Sequence, residues 1–449
     1  MPEHFLIKGL GGRRTLSGTI SVAGAKNAAL KGIAASILFR TPITLTNVPE
    51  IEDVSRMLEI LRTMGASALF ENHRATIDTR LMSETMLTPE IAKRLRASLV
   101  LTGPMLTRFG RVQFPHPGGC VIGERPIDLF VEGYKKMGAK VKRSGRFYDI
   151  RAPKGGLRGA EIFFRIPSVT GTETFMMAAV LAKGTTVIKN AAMEPEIKWL
   201  ATLLNASEAK IAGAGTGTVS IEGLNSPGVV NRPTREAGLG GAALLQANSD
   251  FPVIPDRIEA GSFLILGALA AKRLTVTDVV PEHLESLIEL LEYTGANIKC
   301  GPDRISVSAP RWGKKAHAVN VRTHEYPGFP TDLQAPMMVY LTQAFGESVV
   351  FETIFEGRLN YIESLNRMGA NITMMDPHRV LVKGPTMLKG KRLESPDLRA
   401  GLAFIVAALC AEGTSEIHSV YNIDRGYERI EERLSALGAD ITRVAEEKK

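Results

Sequence analysis

The chain has 449 residues, of which 44% are hydrophobic and 23% are charged, a composition that fits a folded soluble protein and excludes a disordered one. Its length exceeds what one apolar core usually organises, which predicts two large domains. The net charge of +8 arises from lysines and arginines mixed with acids along the chain, so we expect small anionic ligands and no nucleic acid.

An amphipathic helix, a Gly-Ala pair and a short alternating strand recur along the chain. Segments such as DVSRMLEILRTMG have apolar residues three and four apart, which predicts helices, and glycine is the expected stop after each one. In chain order the junctions read RTMGASALF, KKMGAKVKR, a degenerate LNASEAKIAG, EYTGANIKC, NRMGANITMM and SALGADITRV.

A small-residue helix, a turn and a β-branched strand precede most of these copies, as in YLTQAFGESVVFET. Six mixed units, each of roughly sixty to seventy residues, favour compact α/β subdomains, three in each domain, over a solenoid. AGAGTGTVS at 212–220 predicts a hairpin. The stretch 225–256, rich in Gly, Pro and Asn, is the best candidate for a domain boundary or an irregular insertion.

Cysteine usage and hydropathy predict a cytoplasmic protein without membrane insertion. The three cysteines, Cys120, Cys300 and Cys410, form no disulfide or zinc pattern. The N-terminus lacks a signal-peptide pattern, and the longest apolar runs reach about half of the ~20 residues that a membrane helix needs. The eight histidines lack metal-ligand spacing, so we expect no metal site.

Basic residues beside Gly, Ala and Ser give the main chemical signal. Cations near helix N-termini are suited to phosphate and carboxylate, although each of them alone is more often a surface charge or ion pair. The candidates are Lys26 with Asn27 in GAKNAAL, Arg96 in RLRASLVLTGP, Arg125 in GERP, Arg399 in PDLRAG and Arg425 in NIDRGYERI.

A thiol and two acids leave alternatives open. Cys120 follows two glycines in PHPGGCVIGERP, where it is either a half-buried apolar residue or a reactive thiol on a mobile loop. Asp332 in FPTDLQAP is either a helix cap or a general base. Asp397 lies two positions before Arg399. The composition does not choose between these roles.

Together, SVAGAKNAAL, FPHPGGCVIGERP, FPTDLQAP, FEGR, PDLRAG and NIDRGYERIEERL resemble the UDP-N-acetylglucosamine enolpyruvyl transferase family over nearly the whole chain. The resemblance implies a two-domain inside-out α/β barrel, in which each domain contains three repeated helix-and-strand subdomains. It places residues 1–25 and 255–449 in a discontinuous domain carrying Asp332, Arg358, Arg399 and Arg425. The middle domain, 26–254, would carry Lys26, Arg96 and the Cys120 loop.

The resemblance also implies a reaction. The enolpyruvyl group of phosphoenolpyruvate would pass to the 3′-hydroxyl of UDP-N-acetylglucosamine with release of phosphate, the first committed step of peptidoglycan synthesis. No cofactor would be needed, and fosfomycin would alkylate Cys120. An arginine-rich pocket and a Gly-Gly hinge agree with a reactive, mobile thiol at this position.

The residue roles implied by the resemblance fall into four sets. The catalytic set is Cys120, Asp332, Lys26 and Arg399. The phosphoenolpyruvate set is Lys26, Asn27, Arg96, Cys120, Arg125, Arg399 and Arg425. The sugar-nucleotide set is Asn27, Arg96, Arg125, Pro126, Ile127, Asp128, Leu129, Ser168, Val169, Thr170, Gly171, Asp332 and Ile354. Arg358 and Asp397 are further cleft residues.

Three other functions agree less well with the sequence. A 5-enolpyruvylshikimate-3-phosphate synthase-like transferase would share the fold and reaction type but lacks the loop cysteine. An inactive paralogue that binds a nucleotide sugar is disfavoured by the retained acid, base and anion-binding residues. A basic nucleic-acid-binding module is not supported, because the sequence contains no recognised nucleic-acid-binding motif.

Overall fold

The computed structural model of the protein describes residues 3–89, 96–116, 127–224, 244–310 and 316–445, without the side chains of residues 96 and 97. These residues form two compact units. The terminal unit contains the described residues up to Ala23 and from Pro255 onward. The middle unit contains those from Gly24 to Ile254. Each unit has its own apolar core.

The described part of the terminal unit has three four-stranded sheets with one common arrangement. In each sheet the first two strands pair in parallel, and the third and fourth strands add antiparallel. In order across each sheet, the strands are Arg392–Glu394, Thr414–His418, Glu3–Lys8 and Asp440–Ala445; Leu16–Ser21, Ala271–Thr277, Arg304–Ser308 and Asn297–Cys300; and Val321–Arg322, Gly346–Phe351, Arg379–Gly384 and Asn371–Asp376.

The middle unit repeats this arrangement in its described residues. Two of its sheets have the same four-strand order. The third sheet has three strands, and a single parallel bridge between Met86 and Gln113 stands in place of the first, parallel strand. The strands are Glu161–Phe163, Thr185–Lys189, Thr218–Glu222 and Lys210–Ala212; Phe251–Pro252, Ile43–Thr46, Arg74–Asp78 and Ser67–Glu71; and Arg111–Pro115, Phe147–Arg151 and Lys140–Ser144.

Apolar helices lie inside each unit, and amphipathic helices lie nearer the surface. The small, apolar side chains of the inner helices allow burial on almost every face. The inner helices are Arg257–Ala270, Gln334–Gln343 and Leu398–Cys410 in the terminal unit, and Lys26–Ala35, Thr102–Phe109 and Val169–Val180 in the middle unit. The outer ones are Glu285–Tyr293, Ile362–Arg367 and Ile430–Ser435, and Glu52–Thr63, Asp128–Lys136 and Pro195–Ala206. Helices inside and sheets outside confirm the predicted inside-out α/β fold.

Short helices complete the described structure: Ser36–Leu38, Arg96–Leu101, Pro281–Leu284, Thr331–Leu333 and Tyr421–Asp424. The predicted hairpin is confirmed, since Lys210–Ala212 pairs antiparallel with Thr218–Glu222. Within the described ranges, no helix has the length and apolar character needed to cross a bilayer.

The repeated Gly-Ala junctions end helices with a left-handed residue. The five glycines have φ between +87° and +107°. In the degenerate copy, Glu208 takes this conformation instead, with φ +79°. A non-glycine residue there is strained, because its Cβ crowds the following carbonyl oxygen. The five glycines are Gly65, Gly138, Gly295, Gly369 and Gly438.

Candidate active site

Two buried arginines hold one carboxylate in the terminal unit. Arg358 Nη2 donates a short hydrogen bond to Asp332 Oδ1, and Arg399 Nη2 donates to Asp332 Oδ2 at 2.9 Å. The arginine side chains are 4% and 7% exposed, whereas the Asp332 side chain is 26% exposed. The structure therefore brings together three predicted site residues and leaves the carboxylate accessible.

The local sequence explains where Asp332 lies. Pro330 precedes the short helix Thr331–Leu333, which runs directly into the helix Gln334–Gln343. Proline is compatible with this entry, because it cannot continue a preceding hydrogen-bonded segment. Asp332 is thus presented at the beginning of a buried helix, while its side chain bonds to the arginines rather than to the helix backbone.

Arg399 is held in the first turn of the helix Leu398–Cys410. Asp397 caps this helix, since its Oδ1 accepts hydrogen bonds from the backbone N–H groups of Arg399 at 2.8 Å and Ala400 at 3.0 Å. Such caps stabilise a helix by about 1 kcal/mol. The observed contacts of Asp397 are therefore those of a helix cap that orients Arg399.

Two aromatic residues that the sequence reasoning missed support the arginines. Arg399 Nη1 donates to the hydroxyl of buried Tyr427 at 3.0 Å, and the Arg358 Cζ lies 5.6 Å from the centroid of the Phe355 ring. The available signal was proximity to motifs already singled out, since Tyr427 lies in NIDRGYERI and Phe355 begins FEGR.

The charges of the cluster determine its protonation. Burial alone would raise the pKa of Asp332, but the positive charges of Arg399 and Arg358 outweigh burial and hold that pKa well below its usual range. Burial would lower the pKa of Arg399, but the charge of Asp332 and the contact with Tyr427 outweigh burial and raise it. Asp332 is thus ionised at neutral pH.

In the middle unit, Lys26 forms a buried ion pair with Asp53. Its Nζ lies 2.6 Å from Asp53 Oδ2, and the two side chains are 11% and 2% exposed. Lys26 is the first residue of the helix Lys26–Ala35, and among the described side chains none caps that N-terminus. A lysine beside uncapped helix amides is suited to an anionic ligand. Asp53 was not singled out in the sequence, where it reads as part of an amphipathic helix.

Two stretches expected to contact the sugar nucleotide meet in the middle unit. Ser168 caps the helix Val169–Val180 by accepting a hydrogen bond from Gly171 N at 3.0 Å. A Cβ atom on Gly171 would lie 2.8 Å from Leu129 Cδ2, so this glycine allows close approach of the helix Asp128–Lys136. The starts of two helices therefore lie side by side.

The other candidates are placed as follows. Asn27, Thr170, Ile354 and Arg425 are half-buried, as is Val169, whereas Ile127 is buried and Asp128 is exposed. Arg425 follows the short helix Tyr421–Asp424. Cys120, Arg125 and Pro126 lie outside the described residues, and so does the side chain of Arg96, which begins the helix Arg96–Leu101.

Comparisons with known proteins cover almost the entire chain. The sequence model of the EPSP synthase (3-phosphoshikimate 1-carboxyvinyltransferase) family matches residues 10–434. The UDP-N-acetylglucosamine 1-carboxyvinyltransferase of Halothermothrix orenii is 44% identical over 440 residues, which cover 98% of this chain and 99% of that relative.

Solved structures show the same fold. The enolpyruvyl transferase NikO from Streptomyces tendae superposes with a TM-score of 0.84 at 23% identity, with 99% of both chains covered. An EPSP synthase from Acinetobacter baumannii superposes with a TM-score of 0.70 at 18% identity, covering 99% of this chain and 100% of that one. The matches in sequence and fold agree, and the chain belongs to the carboxyvinyltransferase (enolpyruvyl transferase) family typified by EPSP synthase.

Proposed function

We propose that this protein transfers the enolpyruvyl group of phosphoenolpyruvate to the 3′-hydroxyl of UDP-N-acetylglucosamine and releases phosphate. The observation that carries the proposal is the 44% identity, over nearly the full length of both chains, to a relative named for this sugar nucleotide. The product would be the first committed intermediate of peptidoglycan synthesis.

We assign the binding of phosphoenolpyruvate to basic side chains. Lys26, with Arg125 and Arg425, would bind the phosphate and carboxylate of phosphoenolpyruvate, with Asn27 and Arg96 beside them. The buried Lys26–Asp53 pair supports this role, because Asp53 holds the lysine side chain in place when no anion is bound. The stretches 127–129 and 168–171 would contact the sugar nucleotide, and their adjoining helix starts favour its diphosphate.

The chemistry requires one acid, one base and stabilisation of charge. The Cys120 thiol would donate a proton to the methylene carbon of phosphoenolpyruvate, which makes the neighbouring carbon electrophilic. The 3′-oxygen would then bond to that carbon while Asp332 accepts the hydroxyl proton. Phosphate would then leave with the proton held by Asp332, and one methyl proton would return to the Cys120 thiolate, which restores the double bond without a redox step.

Arg399 and Arg358 would exchange partners during this reaction. The observed contacts bind both guanidinium groups to Asp332. An anionic substrate that attracts either arginine would strengthen Asp332 as a base at the moment when the hydroxyl is in place. The cluster thereby couples phosphoenolpyruvate binding to activation of the acceptor.

The same proposal assigns a location and an inhibitor. The reaction would take place in the cytoplasm, where a reactive thiol stays reduced. Fosfomycin would alkylate Cys120 and stop turnover.

A second candidate acceptor is shikimate 3-phosphate, because the matching family model is named for a 3-phosphoshikimate 1-carboxyvinyltransferase. Incubation of the protein with phosphoenolpyruvate and each acceptor, followed by mass spectrometry of the product, separates the two. We expect an enolpyruvyl adduct of UDP-N-acetylglucosamine only. An adduct of shikimate 3-phosphate alone would replace the proposed substrate while leaving the reaction class intact.

A further inference from the structure

A fully buried glutamate connects the two segments that carry Asp332 and Arg358. Glu352 is 0% exposed and directly follows the strand Gly346–Phe351. Its Oε2 accepts a hydrogen bond from the hydroxyl of Thr331 at 2.9 Å. Its Oε1 accepts hydrogen bonds from the backbone N–H groups of Ile354 at 2.9 Å and Phe355 at 3.1 Å.

Each end of this bridge leads directly to the candidate site. Thr331 is the neighbour of Asp332, and its carbonyl oxygen accepts a hydrogen bond from Arg358 Nη2 at 3.2 Å. Phe355 supports Arg358 twice, because its carbonyl oxygen accepts from Arg358 N at 3.3 Å and its ring packs against the guanidinium. The two carboxylate oxygens of Glu352 therefore reach one segment each.

The backbone of Glu352 is fixed independently. Glu352 N donates to the carbonyl oxygen of His378 at 2.8 Å, and His378 Nδ1 lies 2.9 Å from the Glu352 carbonyl oxygen. Since that carbonyl can only accept, Nδ1 carries the proton in this contact. The turn that contains His378 thus holds the main chain of Glu352, while its side chain bonds to both segments.

A buried carboxylate is costly unless several donors satisfy it, and an apolar side chain would fill this space without that cost. Three donors from two segments satisfy Glu352. We propose that Glu352 is a positioning residue that sets the geometry between Asp332 and Arg358 and the orientation of Ile354. This inference rests on the proposed function of the site.

Glu352→Ala and Glu352→Gln separate positioning from bulk stability. Alanine removes both links, whereas glutamine can accept from the two backbone N–H groups and donate to Thr331. Misplacement of a reacting group by about 1 Å costs about 100-fold in rate, so we expect kcat to fall by about 10- to 100-fold in Glu352→Ala. Glu352→Gln should recover most of that loss. The matched control is Glu356→Gln, an exposed glutamate in the same turn, which should leave kcat unchanged.

The pH dependence of kcat/KM supplies a readout that a merely structural role would not move. Loosening Arg358 from Asp332 raises the pKa of Asp332 towards its ordinary value, so the acid limb of the profile should move to higher pH in Glu352→Ala. Unchanged kcat and an unchanged limb in a folded Glu352→Ala protein would overturn the inference. Equal losses in the alanine and glutamine variants, without a shift of the limb, would also overturn it.

If Glu352→Ala fails to fold, Thr331→Val provides the test, because it removes one hydroxyl link and keeps the volume. It should lower kcat and move the acid limb in the same direction, and Thr331→Ser should restore both. No change in Thr331→Val would count against the inference. Product formation by the wild-type protein is measured first, since an inactive wild type counts against the proposed function, whereas unaffected variants of an active one count against Glu352 alone.

Discussion

Asp332 is exposed enough to meet a ligand and is held as a carboxylate by two buried arginines. A base in this state has little affinity for a proton, because the neighbouring positive charges favour its ionised form. For Asp332 to act as the proposed base, substrate binding would have to weaken at least one arginine contact before the proton is transferred.

Asp332→Asn removes the proposed base while keeping the size of the side chain. General bases contribute about 100- to 10,000-fold to rates, so kcat should fall by at least about 100-fold, while binding of UDP-N-acetylglucosamine is largely kept. Phosphate release and calorimetric titration of the sugar nucleotide measure the two effects. Asp440→Asn, an exposed aspartate in the same unit, is the control. Unchanged turnover together with a large loss of sugar-nucleotide affinity would contradict the assignment.

Another buried acidic residue, Glu173, lies in the middle unit. It is 0% exposed, and its Oε2 lies 3.2 Å from Lys31 Nζ. Burial raises its pKa to about 7, which the charge of Lys31 opposes and the charges of nearby Glu196 and Glu194 assist. Between about pH 4.5 and pH 7, Glu173 therefore keeps a proton in the folded protein that it has lost in the unfolded chain.

Because the pKa of Glu173 is higher in the folded state, its contribution to the free energy of unfolding falls as pH rises from about 4.5 to about 7. In Glu173→Gln this dependence disappears. Relative to wild type, the variant should gain on the order of 2 kcal/mol between pH 5 and pH 8. Urea denaturation at both pH values measures the difference, with the exposed Glu161→Gln as control. A pH-independent difference would show that Glu173 is ionised throughout.

At the scale of single elements, the six repeated junctions are equivalent in backbone conformation but not in sequence. Glycine occupies the left-handed position in five of them, and Glu208 occupies it in the remaining one. The sequence pattern identified the degenerate copy correctly, but it could not show that the chain keeps the same turn there at the expense of strain.

Exchanges at these junctions should change stability in opposite directions. Gly438→Ala should destabilise by about 1 kcal/mol through strain alone, because a Cβ there meets no atom within 4 Å. Glu208→Gly should stabilise by about 0.5 to 1 kcal/mol, since relief of strain exceeds the added chain entropy. The control is Gly217→Ala, which also has open space but no positive φ. Thermal unfolding of the four proteins tests this, and a destabilised Glu208→Gly would contradict it.

At the scale of the whole molecule, the repeats predicted much of the fold. The six repeated junctions, five of them Gly-Ala, correspond to six small sheets in the described residues, and the small-residue runs form the buried helices. Period-two and period-3.6 patterns are local, so they can be read directly from the sequence. The sheet that contains Arg111–Pro115 has three strands and a single parallel bridge, and no pattern in the sequence predicted the loss of its fourth strand.

The site was less accessible to local reasoning. Asp332, Arg358 and Arg399 are distant in sequence, and only the family resemblance joined them before the fold was known. Glu352 reads as the end of a β-branched strand, SVVFET, and its one unusual feature is a charge at the end of an apolar run. Burial and hydrogen-bond partners, which decide its role, arise only from tertiary packing.

The central claim is most directly tested by phosphate release from phosphoenolpyruvate, with and without UDP-N-acetylglucosamine, before and after treatment with fosfomycin. We predict release that requires the sugar nucleotide and disappears after fosfomycin alkylates Cys120. Sugar-dependent release that survives fosfomycin would remove the assigned role of Cys120. No release from protein shown to bind the sugar nucleotide would contradict the proposed transferase activity itself.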